Sequence, residues 1–146
     1  MKRVPELHAL SKDHHSGLVL AKKAKRVGGE GGASVCEVWV DIEARFKAEL
    51  EPHFQIEESL IASNLEALGE LQLVKRLYKE HDALRQFFVP GSGRTPADLR
   101  SFGELLEKHI RFEERELFEV AQNILTPDVL SKIERACHAG VVKRNS

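Results

Sequence analysis

The sequence has few cysteines, almost no net charge and no long apolar run, and each lack excludes a class of protein. Cys36 and Cys137 are the only cysteines and form no CxxC pair of the kind used in zinc or redox sites, so we expect reduced, structural thiols. The formal net charge is -1, with acidic and basic residues mixed, which disfavours nucleic acids and membrane surfaces as partners. No apolar run approaches the about 20 residues that span a bilayer, and the polar N-terminus does not resemble a signal peptide. We therefore expect a cytoplasmic protein.

Four breaks rich in glycine or proline divide the chain into segments. A flexible break is predicted at Gly28–Gly32, a short turn at Leu68–Glu70 and a longer loop at Pro90–Pro96. A helix start is predicted at Thr126–Pro127, with threonine as the N-cap and proline as the first helical residue.

Between the breaks, apolar residues recur every three or four positions, which is typical of a buried helix face. We predict an all-α fold: an up-down-up-down four-helix bundle with a short fifth helix from about Pro127 to Cys137. Pro52 lies inside the second predicted helix, where we expect it to kink the backbone. The length of 146 residues suits a single domain, residues 1–146.

Each of the four predicted bundle helices carries one histidine on its apolar face. In the first helix this face is formed by Leu7, Leu10, His14, Leu18 and Ala21. His53, His81 and His109 take comparable positions in the second, third and fourth helices. All four helices could therefore direct an imidazole towards one internal point, which is how bundles form di-iron sites.

Two of these histidines belong to nearly identical motifs. The motifs are His53-Phe-Gln-Ile-Glu57-Glu58 and His109-Ile-Arg-Phe-Glu113-Glu114, and each places a glutamate four residues after the histidine. Four residues is about one helical turn, so the two side chains lie on the same face.

A single histidine on an apolar face is usually a hydrogen-bonded core residue, but this constellation is larger. Burying several imidazoles and carboxylates without compensation would cost several kcal/mol for each charge, and a domain has only about 5 to 15 kcal/mol of net stability. The apolar faces offer no lysine or arginine near those turns, so a pair of bound metal ions is the simplest compensation. The alternative is a bundle without metal.

The types of ligand indicate which metal. Imidazoles and carboxylates without thiolates suit iron better than a closed tetrahedral zinc site. We predict two iron ions in an oxo- or hydroxo-bridged centre, with manganese or zinc as alternatives. The predicted metal ligands are His14, His53, Glu57, His81, His109 and Glu113.

The chain resembles the hemerythrin-like domains, also described as His-His-Glu cation-binding domains. Three segments carry the resemblance: Leu10-Ser-Lys-Asp13-His14, His53-Phe-Gln-Ile-Glu57-Glu58 and Leu105-Leu-Glu-Lys-His109-Ile. The resemblance extends from about Leu7 to Val120. It implies one iron bound by His14 and His53, a second bound by His81 and His109, and Glu57 and Glu113 as bridging carboxylates.

The chain departs from the oxygen-carrying hemerythrins on the third helix. Those proteins have two histidines one turn apart, whereas here Leu77 stands one turn before His81 and Arg85 one turn after it. The resemblance therefore implies an additional open position on the iron held by His81 and His109, and easier loss of that iron. The ligand set is closest to the hemerythrin-like proteins that repair iron centres, although we expect this protein to differ from them in having no cysteine-bearing N-terminal domain.

Three classes of function follow. The leading hypothesis is a protein that binds or senses dioxygen or nitric oxide, with a role in oxidative or nitrosative stress. Iron storage or delivery is the second, and a di-iron peroxidase or oxidase is the third, since an enzyme would need a substrate pocket and a proton source beside the metals. The expected partner is a diatomic gas, and a protein partner is left open.

Three further residues remain alternative ligands. Oxygen carriers place the last carboxylate five residues after the histidine, which would select Glu114, whereas a continuous helix directs Glu113 inward. His8 and His15 lie about 100 to 120° round the first helix from His14 and are expected to point towards its edge or solvent.

Overall fold

In the computed structural model of the protein, residues 2–30 and 34–145 are described, with side chains as far as Gly140. These residues form helices and contain no strand. The helices are α1 (His8–Glu30), α2 (residues 35–67), α3 (Leu71–Gln86), α4 (residues 96–124) and α5 (Pro127–Asn145). The predicted all-α fold is confirmed.

Helices α1 to α4 form a bundle in which each helix runs antiparallel to the next. Arg3, just before α1, bonds to Gln122 near the end of α4, whereas Gly28 near the end of α1 lies against Arg100. The same reversal relates α1 to α2, α2 to α3 and α3 to α4. The bundle therefore has the predicted up-down-up-down order.

Two glycines allow α1 and α4 to approach closely. A Cβ atom on Gly103 would lie 2.6 Å from the carbonyl oxygen of Ala21, and one on Gly28 would lie 2.6 Å from the main-chain nitrogen of Arg100. Glycine is the residue that allows such an approach between backbones. The helix that contributes His14 is therefore held tightly against the helix that contributes Glu113.

The buried face of α1 differs from the prediction at one position. Leu18 is 38% exposed, whereas Gly17 and Leu20 are buried. Gly17 follows His14 by three residues and faces Ile110, so Gly17 and not Leu18 belongs to the buried face of α1. The helix also continues to Glu30, through part of the predicted Gly28–Gly32 break, and Gly31 and Gly32 lie outside the described residues.

Helix α5 begins where it was predicted but is longer. The Thr126 hydroxyl accepts a hydrogen bond from the Val129 main-chain nitrogen (3.2 Å), so the threonine cap is confirmed. The helix runs to Asn145 and not to Cys137, because an isolated glycine such as Gly140 is tolerated in a helix and no proline follows it. It packs mainly against the short 3₁₀ turn Pro5–Leu7, which precedes α1, and against α1 itself and the middle of α2.

Helices α2 and α4 contain wider, π-helical turns. They are Phe46–Leu50 and Glu57–Ala62 in α2, and Glu113–Leu117 in α4. The first turn lies directly before Pro52, where a kink was predicted, and the helix continues through the proline. The other two begin at the predicted bridging glutamates, and such turns are frequent at functional sites.

Two apolar clusters fill the bundle, one around Trp39 and Phe102 and the other around Leu65 and Phe118. The predicted ligands are the buried polar residues of the bundle and belong to neither cluster. No helix among the described residues is long and apolar enough to cross a bilayer.

Candidate metal centre

The six predicted ligands meet inside the bundle, and every helix from α1 to α4 contributes at least one. Each of them is at most 4% exposed. They are His14 from α1, His53 and Glu57 from α2, His81 from α3, and His109 and Glu113 from α4. The structure thus brings together all the residues that the helical patterns selected.

Their donor atoms form two groups that share both glutamates. One group contains His14 and His53, the other contains His81 and His109, and within each group the donor atoms lie within 4.8 Å of one another. Glu57 spans the two groups, because its Oε2 lies 3.0 Å from His53 Nε2 and its Oε1 lies 3.1 Å from His81 Nε2. This is the arrangement that a bridging carboxylate requires.

Glu113 spans the groups in the same way from the opposite side. Its Oε1 lies 2.6 Å from His14 Nε2, and its Oε2 lies 3.4 Å from His109 Nε2. Glu114, the alternative ligand, points outward and contacts His14 Nδ1 instead. The continuous helix therefore places Glu113 inward, as we expected.

Several buried atoms in this cluster lack the partners that buried polar atoms need. His109 Nε2 and Glu113 Oε2 have no hydrogen-bond partner among the described residues. His14 Nε2 and His53 Nε2 face each other at 3.2 Å, so at most one proton can lie between them. A metal ion in each group would satisfy these atoms, and nitrogen with carboxylate oxygen is a donor set suited to iron. The residues present therefore fit a pair of metal ions.

A second layer of carboxylates surrounds the histidines. Each imidazole donates its Nδ1–H to an acidic side chain, so that its Nε2 atom faces inward, as in metal-bound histidines. The pairs are His14 with Glu114 (3.1 Å), His53 with Asp13 (3.1 Å), His81 with Glu58 (2.7 Å) and His109 with Glu80 (2.7 Å).

These outer carboxylates form a closed ring around the bundle. Each acid contacts the histidine of the next helix, and the last acid contacts the histidine of the first helix. The acids are Asp13 on α1, Glu58 on α2, Glu80 on α3 and Glu114 on α4, and they contact the histidines of α2, α3, α4 and α1 respectively. Sequence reasoning missed the roles of Asp13, Glu58 and Glu80. The available signal was their position, because each of them is adjacent in sequence to an inner ligand.

Comparison with known families agrees with this geometry. The family model described as the hemerythrin HHE cation-binding domain matches residues 5–121. The chain belongs to the hemerythrin family. Comparison with curated proteins and with solved structures gave no match.

The electrostatics of this hemerythrin domain show how its buried carboxylates are neutralised without metal. Burial alone would lower the pKa of His81, but the surrounding carboxylates, chiefly Glu113 and Glu57, raise it to about 11. Burial likewise opposes protonation of His109, and Glu113 foremost raises its pKa to about 9. Protons on the imidazoles therefore balance the carboxylates in the metal-free protein, and metal binding would displace those protons.

The remaining candidate residues lie away from the centre. His8 and His15 are exposed, and His8 Nε2 lies 3.0 Å from the Arg3 carbonyl oxygen. Leu77, at the position where oxygen carriers have another histidine, is fully buried. No further nitrogen ligand therefore stands one turn before His81.

Proposed function

We propose that this chain is a non-haem di-iron protein that binds or senses dioxygen or nitric oxide in an oxidative or nitrosative stress response. The centre consists of two half-sites, one with His14 and His53 and the other with His81 and His109. Because both half-sites share the two glutamates, the geometry favours a pair of ions over a single ion. Each half-site offers four donor atoms, two imidazole nitrogens and one oxygen from each of two glutamates. Four donors would complete a tetrahedral zinc site, whereas iron takes more ligands and would keep a position for a small molecule.

The observation that carries the gas-binding proposal is the apolar residue beside His81. Leu77 is fully buried and contributes no donor atom, so the half-site of His81 and His109 has one protein ligand fewer than an oxygen carrier. Phe54 stacks on His81 with ring centroids 3.8 Å apart, and Phe112 lies beside His109. Such surroundings favour a small, uncharged molecule over a hydrated or charged one.

The test is the absorption spectrum of iron-loaded, reduced protein exposed to dioxygen or nitric oxide. We expect a new charge-transfer band with at least one gas. Leu77→His should weaken that band, because an added imidazole competes for the open position, whereas Leu77→Met keeps the apolar volume and should preserve it. The absence of any spectral change in protein with two bound iron ions would refute gas binding.

Iron delivery is the second candidate, and a specific observation favours it. A cavity of about 570 Å³ reaches His53 from the surface of the bundle. A centre that released iron would need such an opening. Release of iron to an acceptor chelator, with no gas-dependent spectrum, would favour delivery.

A further inference from the structure

Three of the four histidines lie beside an aromatic ring that has an arginine over its face; the ring is stacked on His14 and on His81 and tilted against His109. The rings are Phe118 beside His14 (centroids 5.1 Å apart), Phe54 beside His81 (3.8 Å) and Phe112 beside His109 (6.4 Å). The guanidinium groups above them are Arg3 over Phe118 (5.5 Å), Arg85 over Phe54 (5.6 Å) and Arg76 over Phe112 (4.1 Å). Cation–π contacts of this kind hold the rings in place.

The same arginines hold the outer carboxylates or their backbone. Arg85 Nη1 donates to Glu58 (2.9 Å), and Arg76 Nε donates to Glu80 (2.9 Å). Arg3 donates to the main-chain oxygen of Glu114 (2.7 Å). At these three corners, an arginine thus fixes both a ring beside the imidazole and the outer carboxylate or its backbone.

The corner of His53 is built differently. Its outer carboxylate, Asp13, is 29% exposed and has no lysine or arginine within salt-bridge distance among the described residues. The nearest phenyl ring, Phe54, meets His53 edge-on at 6.3 Å and is stacked on His81 instead. His53 therefore differs from the other three histidines in its outer carboxylate, because no arginine among the described residues holds Asp13 or its backbone.

An open cavity lies beside this corner. It has a volume of about 570 Å³ and is lined by Ala9, Asp13, Ser16, Pro52 and His53, with part of α5 on its far side. A water molecule takes about 30 Å³ of liquid volume, so the cavity has room for a hydrated cation and for outward rotation of an imidazole.

We infer that metal ions enter and leave the centre at the His53 corner, so that the ion held by His14 and His53 exchanges faster than the ion held by His81 and His109. The inference rests on the proposed binding of two metal ions. It is the opposite of the expectation from the sequence. Because Leu77 stands where oxygen carriers have a histidine, we expected the ion held by His81 and His109 to be lost more easily. The half-site next to Leu77 has an open coordination position but is enclosed by packed rings.

Iron release from anaerobically loaded protein tests the route. Excess colorimetric chelator should remove iron(II) in two phases of equal amplitude. Ala9→Leu and, independently, Ser16→Leu narrow the cavity and should slow the faster phase about tenfold while leaving the iron content unchanged. Ala83→Leu is the matched control, because it fills a separate cavity that no predicted ligand lines, and it should alter neither phase.

Two outer-carboxylate variants assign the phases to the half-sites. Asp13→Asn loosens His53 alone and should accelerate only the faster phase, whereas Glu80→Gln loosens His109 and should accelerate only the slower phase. The opposite assignment, a single release phase, or unchanged release from both cavity variants would overturn the inference. Iron content measured beforehand separates the two proposals: less than one iron per chain refutes the metal pair itself, whereas two ions released in one phase refute only the route.

Discussion

At the scale of the residue, adjacent acids perform different tasks in this centre. Glu113 is fully buried and faces two imidazoles, while Glu114, the next residue, lies outside the cluster and accepts a hydrogen bond from His14 Nδ1. Successive residues of a helix point about 100° apart, so one of two neighbouring glutamates can face the bundle axis while the other reaches along its rim. The paired glutamates thus supply an inner and an outer carboxylate from one turn.

Removal of one outer charge should weaken metal binding without unfolding the protein. We expect Glu80→Gln to lower the affinity for iron at least about tenfold, because it removes the charge that orients His109 and raises its basicity. Competition with a chelator of known affinity measures the change.

Glu104→Gln is the matched control for this prediction. Glu104 pairs with Arg100 one turn earlier (3.1 Å), just as Glu80 pairs with Arg76 (2.9 Å), but it contacts no histidine. Equal loss of affinity in both variants would show that the ion pair matters and that the contact with His109 does not.

The inner residues could be selected from the sequence because they interrupt apolar stripes. A histidine or glutamate at a core position stands out against leucine and phenylalanine. The outer acids Asp13, Glu58 and Glu80 are only partly exposed but lie off those stripes, where acidic residues are ordinary. Which histidine each one reaches depends on the packing between helices, so the ring of contacts was not predictable from spacing.

At the scale of the element, the helices were predictable and their local irregularities were not. Turn residues at Leu68–Glu70 and Pro90–Pro96 mark real helix ends, where Gly69 and Gly91 have positive φ. A spacing of three or four residues does not reveal a π-helical turn. After Glu57 the buried positions shift to Ile61 and Leu65, while Leu60, which a spacing of three or four residues from Ile56 and Glu57 would place on the buried face, is only half-buried.

The contact between α1 and α4 should be sensitive to a single methyl group. Gly103→Ala would place Cβ 2.6 Å from the Ala21 carbonyl oxygen and 3.0 Å from the Lys25 main-chain nitrogen, so the helices must separate. We expect a loss of about 1 to 3 kcal/mol in the free energy of unfolding, measured by denaturant titration.

Gly29→Ala serves as the control, because Gly29 lies on α1 but outside its contact with α4. A Cβ atom at Gly29 meets nothing within 4 Å, and alanine is favoured over glycine in a helix by up to about 1 kcal/mol. This variant should be unchanged or more stable. Equal stability of Gly103→Ala and native protein would mean that the close approach is not required.

At the scale of the whole molecule, a buried polar centre lies between two apolar clusters. Without metal, its carboxylates must be balanced by protons on imidazoles that burial disfavours. Bound metal would supply the positive charge, and the inner ligands that would hold it come from four helices. Binding free energy of this kind adds to folding free energy, because the unfolded chain does not assemble the site.

Metal removal should therefore lower thermal stability. A ligand present at a thousand times its Kd adds about 4 kcal/mol, and each kcal/mol shifts the midpoint of a domain of this size by about 2 to 4 °C or slightly more. We expect the unfolding midpoint to fall by on the order of 10 °C on chelation, as measured by calorimetry.

A variant without bridging carboxylates provides the comparison. The midpoint of Glu57→Gln/Glu113→Gln protein should not respond to the chelator, since neither half-site retains a shared oxygen anion. An unchanged midpoint in chelated native protein would show that the centre does not contribute to stability through metal.

The order of the ligands along the chain gives the molecule an approximate twofold symmetry. An acid and a histidine on α1 are followed by histidine, glutamate and glutamate on α2, and α3 and α4 repeat this series. The centre thus joins two equivalent helical hairpins. Helix α5 packs mainly on the first hairpin and borders the cavity at His53, and among the described residues no helix takes the equivalent position on the second hairpin. Helix α5, which carries none of the predicted ligands, thereby makes the surroundings of the His14 and His53 half of the site different from those of the His81 and His109 half.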